Sequence, residues 1–306
     1  MPGQVPVVPS RNVLSMRALI TGANGQLGTE LAGVCGAAGD ELTLCGHSEL
    51  DAGNREQALQ VLGAVRPDVV LHCGAWTNVD GCETEPEKAY RANALGTRNV
   101  AEACALVGAR MMYVSSDYVF DGRGTGPTGG GAYTEWDATG PISHYGRSKL
   151  GGEYEAQAIL GHHATIVRAS WVCGQYGNNF VKTMLRLARD PEAKPVTVVD
   201  DQIGCPTFTA DLATTMRSLA VSRVPGIFHV SNAGAVSWCE FAKAIFTAAG
   251  QDPERVQPIP SSALLPARPA PRPAFSILDN AALRGIDFPA MPHWGAALKT
   301  TVAALS

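Results

Sequence analysis

The chain lacks any apolar run near the roughly 18 residues that crossing a bilayer requires, so no membrane span is expected. It has no stripe of Lys and Arg either: 24 basic side chains stand against 28 acidic ones, a net charge of -4. Proteins that grip nucleic acid or an anionic membrane surface carry a basic patch, so neither is an expected partner. A few placed donors would still hold a phosphorylated small molecule. The eight cysteines (Cys35, Cys45, Cys73, Cys82, Cys104, Cys173, Cys205, Cys239) include no CxxC pair, and the clustered spacing of a zinc site is missing. Reduced thiols in the cytoplasm are the simple expectation. No repeat or heptad pattern occurs. Residues 1–15 carry three prolines and no apolar stretch of the secretory kind; they are expected to form a disordered leader, with Met16 as a start.

What is present is a core-forming composition, 45% hydrophobic and 17% charged, enough for one large domain and a smaller lobe. Short apolar runs at 17–21, 41–45, 68–72, 110–115 and 164–168 alternate with helical patterns at 26–38, 54–65, 87–107 and 148–160. Continuous apolar strands alternating with amphipathic helices predict a parallel sheet covered on both faces. Right-handed crossovers then give a doubly wound α/β fold of the Rossmann kind, with ligands at the carboxyl ends of the strands. After residue 170 the alternation breaks down, with helices expected at 179–188 and 237–249 and a proline-rich connection at 258–273. The expected organisation is a nucleotide-binding domain over 16–170, to which 203–232 returns. Residues 171–202 and 233–306 then form a C-terminal substrate-binding lobe.

The first strand runs into Thr21-Gly22-Ala23-Asn24-Gly25-Gln26-Leu27-Gly28 and then a helix. One glycine makes the tight turn, one lets backbone approach a pyrophosphate, and one lets helix and strand pack closely. The helix N-terminus offers free N–H groups to phosphates. The second strand ends Leu44-Cys45-Gly46-His47-Ser48 with no carboxylate for a ribose 2′-hydroxyl. His47 and Ser48 tolerate or bind a 2′-phosphate, which favours NADPH and leaves NADH open, although no arginine stands nearby in the chain. Leu50 and Asp51 would flank the adenine.

Tyr145 and Lys149 lie four residues apart and share one face if helical, and Ser115-Ser116-Asp117 ends the strand MMYV. Reducing a ketone needs an acid that protonates the developing alkoxide as hydride arrives. A neighbouring ammonium is expected to lower the tyrosine's pKa, and Ser116 to hold the carbonyl oxygen. Asn178, Asn179 and Lys182 open a helix, a suitable place for a diphosphate. Arg272 follows the proline-rich stretch and would close on the same group by paired bonds, while Gln202 and Thr207 are candidates for holding a thymidine.

Seven segments in order (TGANGQLG 21–28, SSDYVFDG 115–122, YGRSKLGGE 145–153, RASWVCG 168–174, GNNFVKTMLRLA 177–188, DDQIGCPT 200–207, RPAFSILDN 272–280) resemble the dTDP-4-dehydrorhamnose reductase family of extended short-chain dehydrogenases. The resemblance covers nearly the whole chain. It implies reduction of the 4-keto group of a dTDP-sugar by NADPH or NADH, the last step of dTDP-rhamnose biosynthesis. It also implies Tyr145 as acid, Lys149 as its electrostatic partner, and Ser116 where the family has Thr or Ser. Asp117, Tyr118 and Trp171 then lie at the sugar. Thr77 and Val79 are implied substrate contacts, and Cys73, Gly74, Ala75 and Ser115 implied cofactor contacts. Some family members hold magnesium at a dimer interface through three acidic residues. Here Glu30 matches one, but the others fall at Ala210 and near Ala304, so no magnesium is predicted and a monomer or weak homodimer is expected. The rival readings are a nucleotide-sugar epimerase or dehydratase of the same superfamily, which would want a second carboxylate where Tyr118 stands. A non-catalytic regulatory subunit is the other, and it would not need Ser116, Tyr145 and Lys149 intact.

Overall fold

The structure, a computed structural model, describes residues 15–125, 131–190 and 192–305. The expected leader, apart from Ser15, and the tip of the glycine-rich loop at 122–131 lie outside the described residues.

The sheet forms where the apolar runs predict it: β1 Arg17–Thr21, β2 Glu41–Cys45, β3 Val69–His72, β4 Arg110–Ser116 and β5 Ala164–Ala169. All pairings in this sheet are parallel, in the order β2-β1-β3-β4-β5, and strand Gly226–His229 adds to β5. Every residue of β3 and β5 is buried, as strands covered on both faces must be. Helix α1 (Gln26–Ala37) leads from β1 to β2, and α2 (Arg55–Val65), capped by the Asn54 side chain, leads from β2 to β3. The order places β2 on one side of β1 and β3 on the other. The winding reverses there, and the crevice above the carboxyl ends of β1 and β3 is where such sheets bind ligands.

The stretch read as one helix over 87–107 is helical throughout: α4 (Pro86–Tyr90) runs through a π-helical turn at Arg91–Leu95 into α5 (Gly96–Val107), and a short helix α3 (Val79–Thr84) precedes it. Periodicity registers neither a six-residue helix nor one extra residue inside a longer one. The next helix, α6, spans His144–Leu160 and starts four residues before the expected 148, because Ser143 Oγ accepts from Gly146 N and caps it there. Leu62, Val70, Val100, Met111 and Ala156 pack the α2/α5/α6 face of the sheet.

Beyond the sheet, α7 (Phe180–Ala188), α9 (Trp238–Ala248) and the C-terminal helix Trp294–Ala304 share a second core built on Val181, Leu185, Phe241, Phe246 and Leu298. Between them α8 (Thr209–Ser222) returns to the first domain. Its Leu212 and Met216 join Leu31 of α1 and Ile20 of β1 in the core of the opposite sheet face. Among the described residues no helix is long and apolar enough to cross a membrane.

Candidate active site

Glycines at two positions of the turn after β1 are required by space. A Cβ on Gly28 would stand 2.3 Å from the Gly22 carbonyl oxygen, and one on Gly22 (φ +64°) would stand 2.8 Å from the Gly74 nitrogen. Loop and helix are therefore pressed together, and the loop after β3 lies directly against them. Gly25 caps α1 without any side-chain bond, which leaves the first N–H groups of the helix available to an anion. Beneath the turn, Thr21 Oγ1 accepts from Gly74 N and lies 2.7 Å from His72 Nδ1. Burial holds His72 far below its ordinary pKa, to about 3, with Lys149 nearby acting the same way, so this ring is a neutral part of the floor.

A cleft of about 730 Å³ opens over this crevice. At one end it is lined by Gly22, Asn24, Gly25, Gln26, Leu27 and Gly28, with His47, Cys73, Gly74 and Ala75 beside them. Ser115, Ser116, Tyr145 and Lys149 form its floor, and Asp117, Tyr118, Thr77, Val79 and Trp171 its far end. Residues scattered over six chain segments are thus brought together. The close fit of α6 on β4 does this: a Cβ on Gly146 would meet the Tyr118 carbonyl at 2.1 Å, and one on Gly152 the Tyr113 hydroxyl at 2.3 Å.

The floor is dry. Ser116 Oγ donates to Asp117 Oδ1 at 2.9 Å and accepts from Tyr118 N at 3.2 Å. Burial raises the Tyr145 phenol above its ordinary pKa, opposed by a hydrogen bond with Ser116. The expected lowering by Lys149 is therefore reversed. The Lys149 ammonium sits 4.2 Å from the ring centroid of Tyr113, and burial pushes its pKa down to about 7 while Glu153 pulls it up. Burial also raises Asp117 to about 6, against hydrogen bonds from Ser276 and Ser116. Below the floor, Arg168 and Glu153 form a two-bonded ion pair, 2.7 and 2.9 Å, with only 3% and 1% of their side chains exposed. Ser115 Oγ donates to the same carboxylate.

At the far end Trp171 stacks flat on Trp238, ring centroids 3.6 Å apart and planes 8° from parallel. Trp238 opens α9 and lines the cleft; nothing in the sequence reading singled it out. A second cavity of about 630 Å³ continues past Gly22, His47, Gly74 and Ala75. Leu50 and Asp51 line it together with Trp76, Lys88 and Arg91, and these last three were also missed.

Seven expected contacts, Asn178 among them, lie outside the lining of both cavities. Ser48 Oγ donates to Glu49 Oε1. Asn179 is the cap of α7, and its amide donates to Gln26 Oε1 and Gly174 O, with Lys182 one turn further on. Gln202 Nε2 donates to Ser261 Oγ. Thr207 is wholly buried, its hydroxyl 3.5 Å from the Cys205 carbonyl. Arg272 meets Asp80 through two bonds of 2.6 and 2.8 Å. Glu30 accepts from Thr209 Oγ1 at 2.8 Å.

Comparison with known proteins gives this geometry its context. The family model described as RmlD substrate binding domain matches residues 16–306. A dTDP-4-dehydrorhamnose reductase of Streptomyces griseus is 40% identical over 294 residues, 94% of each chain. One of Mycobacterium tuberculosis (strain ATCC 25618 / H37Rv) is 43% identical over 298 residues, 95% of this chain and 93% of that one. A crystal structure of the Bacillus anthracis str. Ames dTDP-4-dehydrorhamnose reductase in complex with NADP superposes with a TM-score of 0.88 at 40% identity, covering 95% of this chain and all of that one. With its glycine turn, its Ser-Tyr-Lys floor and nearly its full length matched, the chain belongs to the dTDP-4-dehydrorhamnose reductase (RmlD) family.

Proposed function

We propose that this protein reduces the 4-keto group of dTDP-4-dehydro-β-L-rhamnose to give dTDP-L-rhamnose, using NADPH and accepting NADH. The observation that carries the reading is the gathering of Ser116, Tyr145 and Lys149 on the floor of a cleft that runs to an uncapped helix N-terminus. The cleft fits the dinucleotide: Gly25 leaves N–H groups free for the diphosphate, and Leu50 and Asp51 line the space for the adenosine. The bound reduced nicotinamide supplies a hydride. The chain's own residues handle the rest. Tyr145, kept protonated by burial, is the proton donor to the developing alkoxide. Ser116 orients the carbonyl oxygen, and its link to Tyr145 holds the phenol in place. Lys149 in its charged form stabilises the phenolate left behind. Asp117, Tyr118, Thr77, Val79 and Trp171 shape the sugar's end of the cleft. The contacts proposed for the dTDP portion are Asn179, Lys182, Gln202, Thr207 and Arg272. They lie outside the cleft lining here: Asn179 and Arg272 bond to Gln26 and Asp80, and Thr207 is wholly buried.

The test follows the absorbance of reduced nicotinamide while the 4-keto sugar nucleotide is generated in place from dTDP-glucose. Stoichiometric oxidation with dTDP-rhamnose as product supports the assignment. Cofactor binding without oxidation refutes it and moves the weight to another nucleotide sugar or to a regulatory role.

A further inference from the structure

The π-helical turn at Arg91–Leu95 holds one residue more than an α-turn and so re-aims the side chains on either side of it; such turns concentrate at functional sites. Here it turns Asn93 inward. Asn93 Oδ1 accepts from Trp76 N, and Nδ2 donates to Trp76 O and to Ser148 Oγ, which fixes the loop after β3 against α6. Arg91 is left facing the second cavity. It lies over the loop that follows β2, its Nε 3.4 Å from where a Cβ on Gly53 would stand. Among the described residues its guanidinium meets no carboxylate, although five donors are carried there.

The charges around it point to an anion. The cavity wall carries Lys88 and Arg91 against the single carboxylate of Asp51, whose Oδ1 already accepts from Gly53 N. Lys88 is partly matched, with its ammonium 3.5 Å from Glu85 and 4.3 Å from the Trp76 ring centroid. On the opposite side Ser48, the hydroxyl that sequence offers to a 2′-phosphate, gives its proton to Glu49 Oε1, and Glu49 Oε2 accepts from Gly46 N. The turn after β2 is thus closed on itself. The unmatched cation on this cavity comes from the far wall.

We propose that Arg91, with Lys88 as a second positive charge, reads the 2′-phosphate of the adenosine and sets the preference for a 2′-phosphorylated over an unphosphorylated dinucleotide. A guanidinium binds phosphate through two parallel bonds, which an unphosphorylated ribose cannot return. The proposal rests on the reading of the cleft as a dinucleotide site and is independent of the sugar. The experiment titrates the intact protein and its Arg91→Gln and Arg91→Lys variants with 2′,5′-ADP and with 5′-AMP by calorimetry. Arg91→Gln should weaken 2′,5′-ADP about 10- to 100-fold and leave 5′-AMP within about twofold of the parent. Arg91→Lys should lie between, because a point charge remains without the paired geometry. Equal weakening of both ligands would overturn the proposal and make Arg91 a cover for the adenine. No weakening of either would also overturn it. Failure of both ligands to bind the parent protein would overturn the dinucleotide reading itself, whereas normal binding beside absent turnover of the sugar would leave Arg91's role standing.

Discussion

Replacing Glu153 by glutamine removes the charge that balances Arg168 while keeping the side chain's volume. The pair is sealed, at 3% and 1% exposure, and the Arg168 Nη1 has no partner even in the intact protein. Taking the carboxylate away leaves a buried guanidinium with weaker acceptors, and breaking a buried pair from one side costs about 3–5 kcal/mol. For a chain of this size about 2 °C of melting temperature is lost per kcal/mol, so the midpoint should fall by ~6–10 °C. A second effect follows from position. The Glu153 charge raises the Lys149 pKa against the burial that brings it to about 7. Without that charge Lys149 loses its proton at lower pH. The protonated form supports Tyr145, so turnover declines as pH rises through the Lys149 pKa, and in the variant this decline moves to lower pH. Differential scanning fluorimetry and a pH series of kcat measure the two effects. A midpoint within about 2 °C of the parent would refute the energetic argument. An unmoved alkaline limb would refute the link to Lys149.

Tyr145→Phe should lower kcat about 10²- to 10⁴-fold with dinucleotide affinity unchanged in a fluorescence titration; an equal loss of affinity would make Tyr145 structural. Gly28→Ala places a methyl 2.3 Å from the Gly22 carbonyl oxygen, a strain of about 1–3 kcal/mol. It should weaken dinucleotide binding by about tenfold or more in calorimetry, and unchanged affinity would show that the turn yields. Asp80→Asn removes the charge held by Arg272 and weakens the three bonds that tie the proline-rich stretch to α3. Limited proteolysis should then cut within 258–273 severalfold faster. Because Arg272 holds the Asp80 carboxyl below its ordinary pKa, the tether is present above the usual carboxylate range. It is lost as pH falls through the lowered value, so the parent protein should approach the variant's cleavage rate in acid.

The parallel sheet was legible because β3 and β5 are buried on both faces and therefore read as mostly apolar runs without polar alternation. The glycine turn and the Tyr145–Lys149 pair were legible because each lies within a short stretch of consecutive sequence. What sequence did not show depends on contacts between distant segments. Trp238 reaches the cleft only because α9 packs its end against Trp171. Arg91 faces the second cavity because a π-helical turn re-aims it, and one inserted residue does not disturb a hydrophobic period enough to be noticed. Arg272, offered on spacing to a diphosphate, is met by Asp80 at the start of α3. For Tyr145 the proximity of an ammonium pointed to a lowered pKa, but the low polarity of the floor outweighs it and the phenol moves up.

Two bonds described above tie later segments of the chain to the same helix. Asn179 at the cap of α7 reaches Gln26, and Thr209 at the start of α8 reaches Glu30. Both acceptors belong to α1, whose first turn faces the dinucleotide's diphosphate in the proposed function. Ordering that turn also orders the anchor points of the segments that carry the sugar-side residues. By linkage the reverse holds with the same free energy. Affinity for the sugar nucleotide should therefore depend on whether the dinucleotide is already in place, and the two ligands would act as each other's effectors within a single chain.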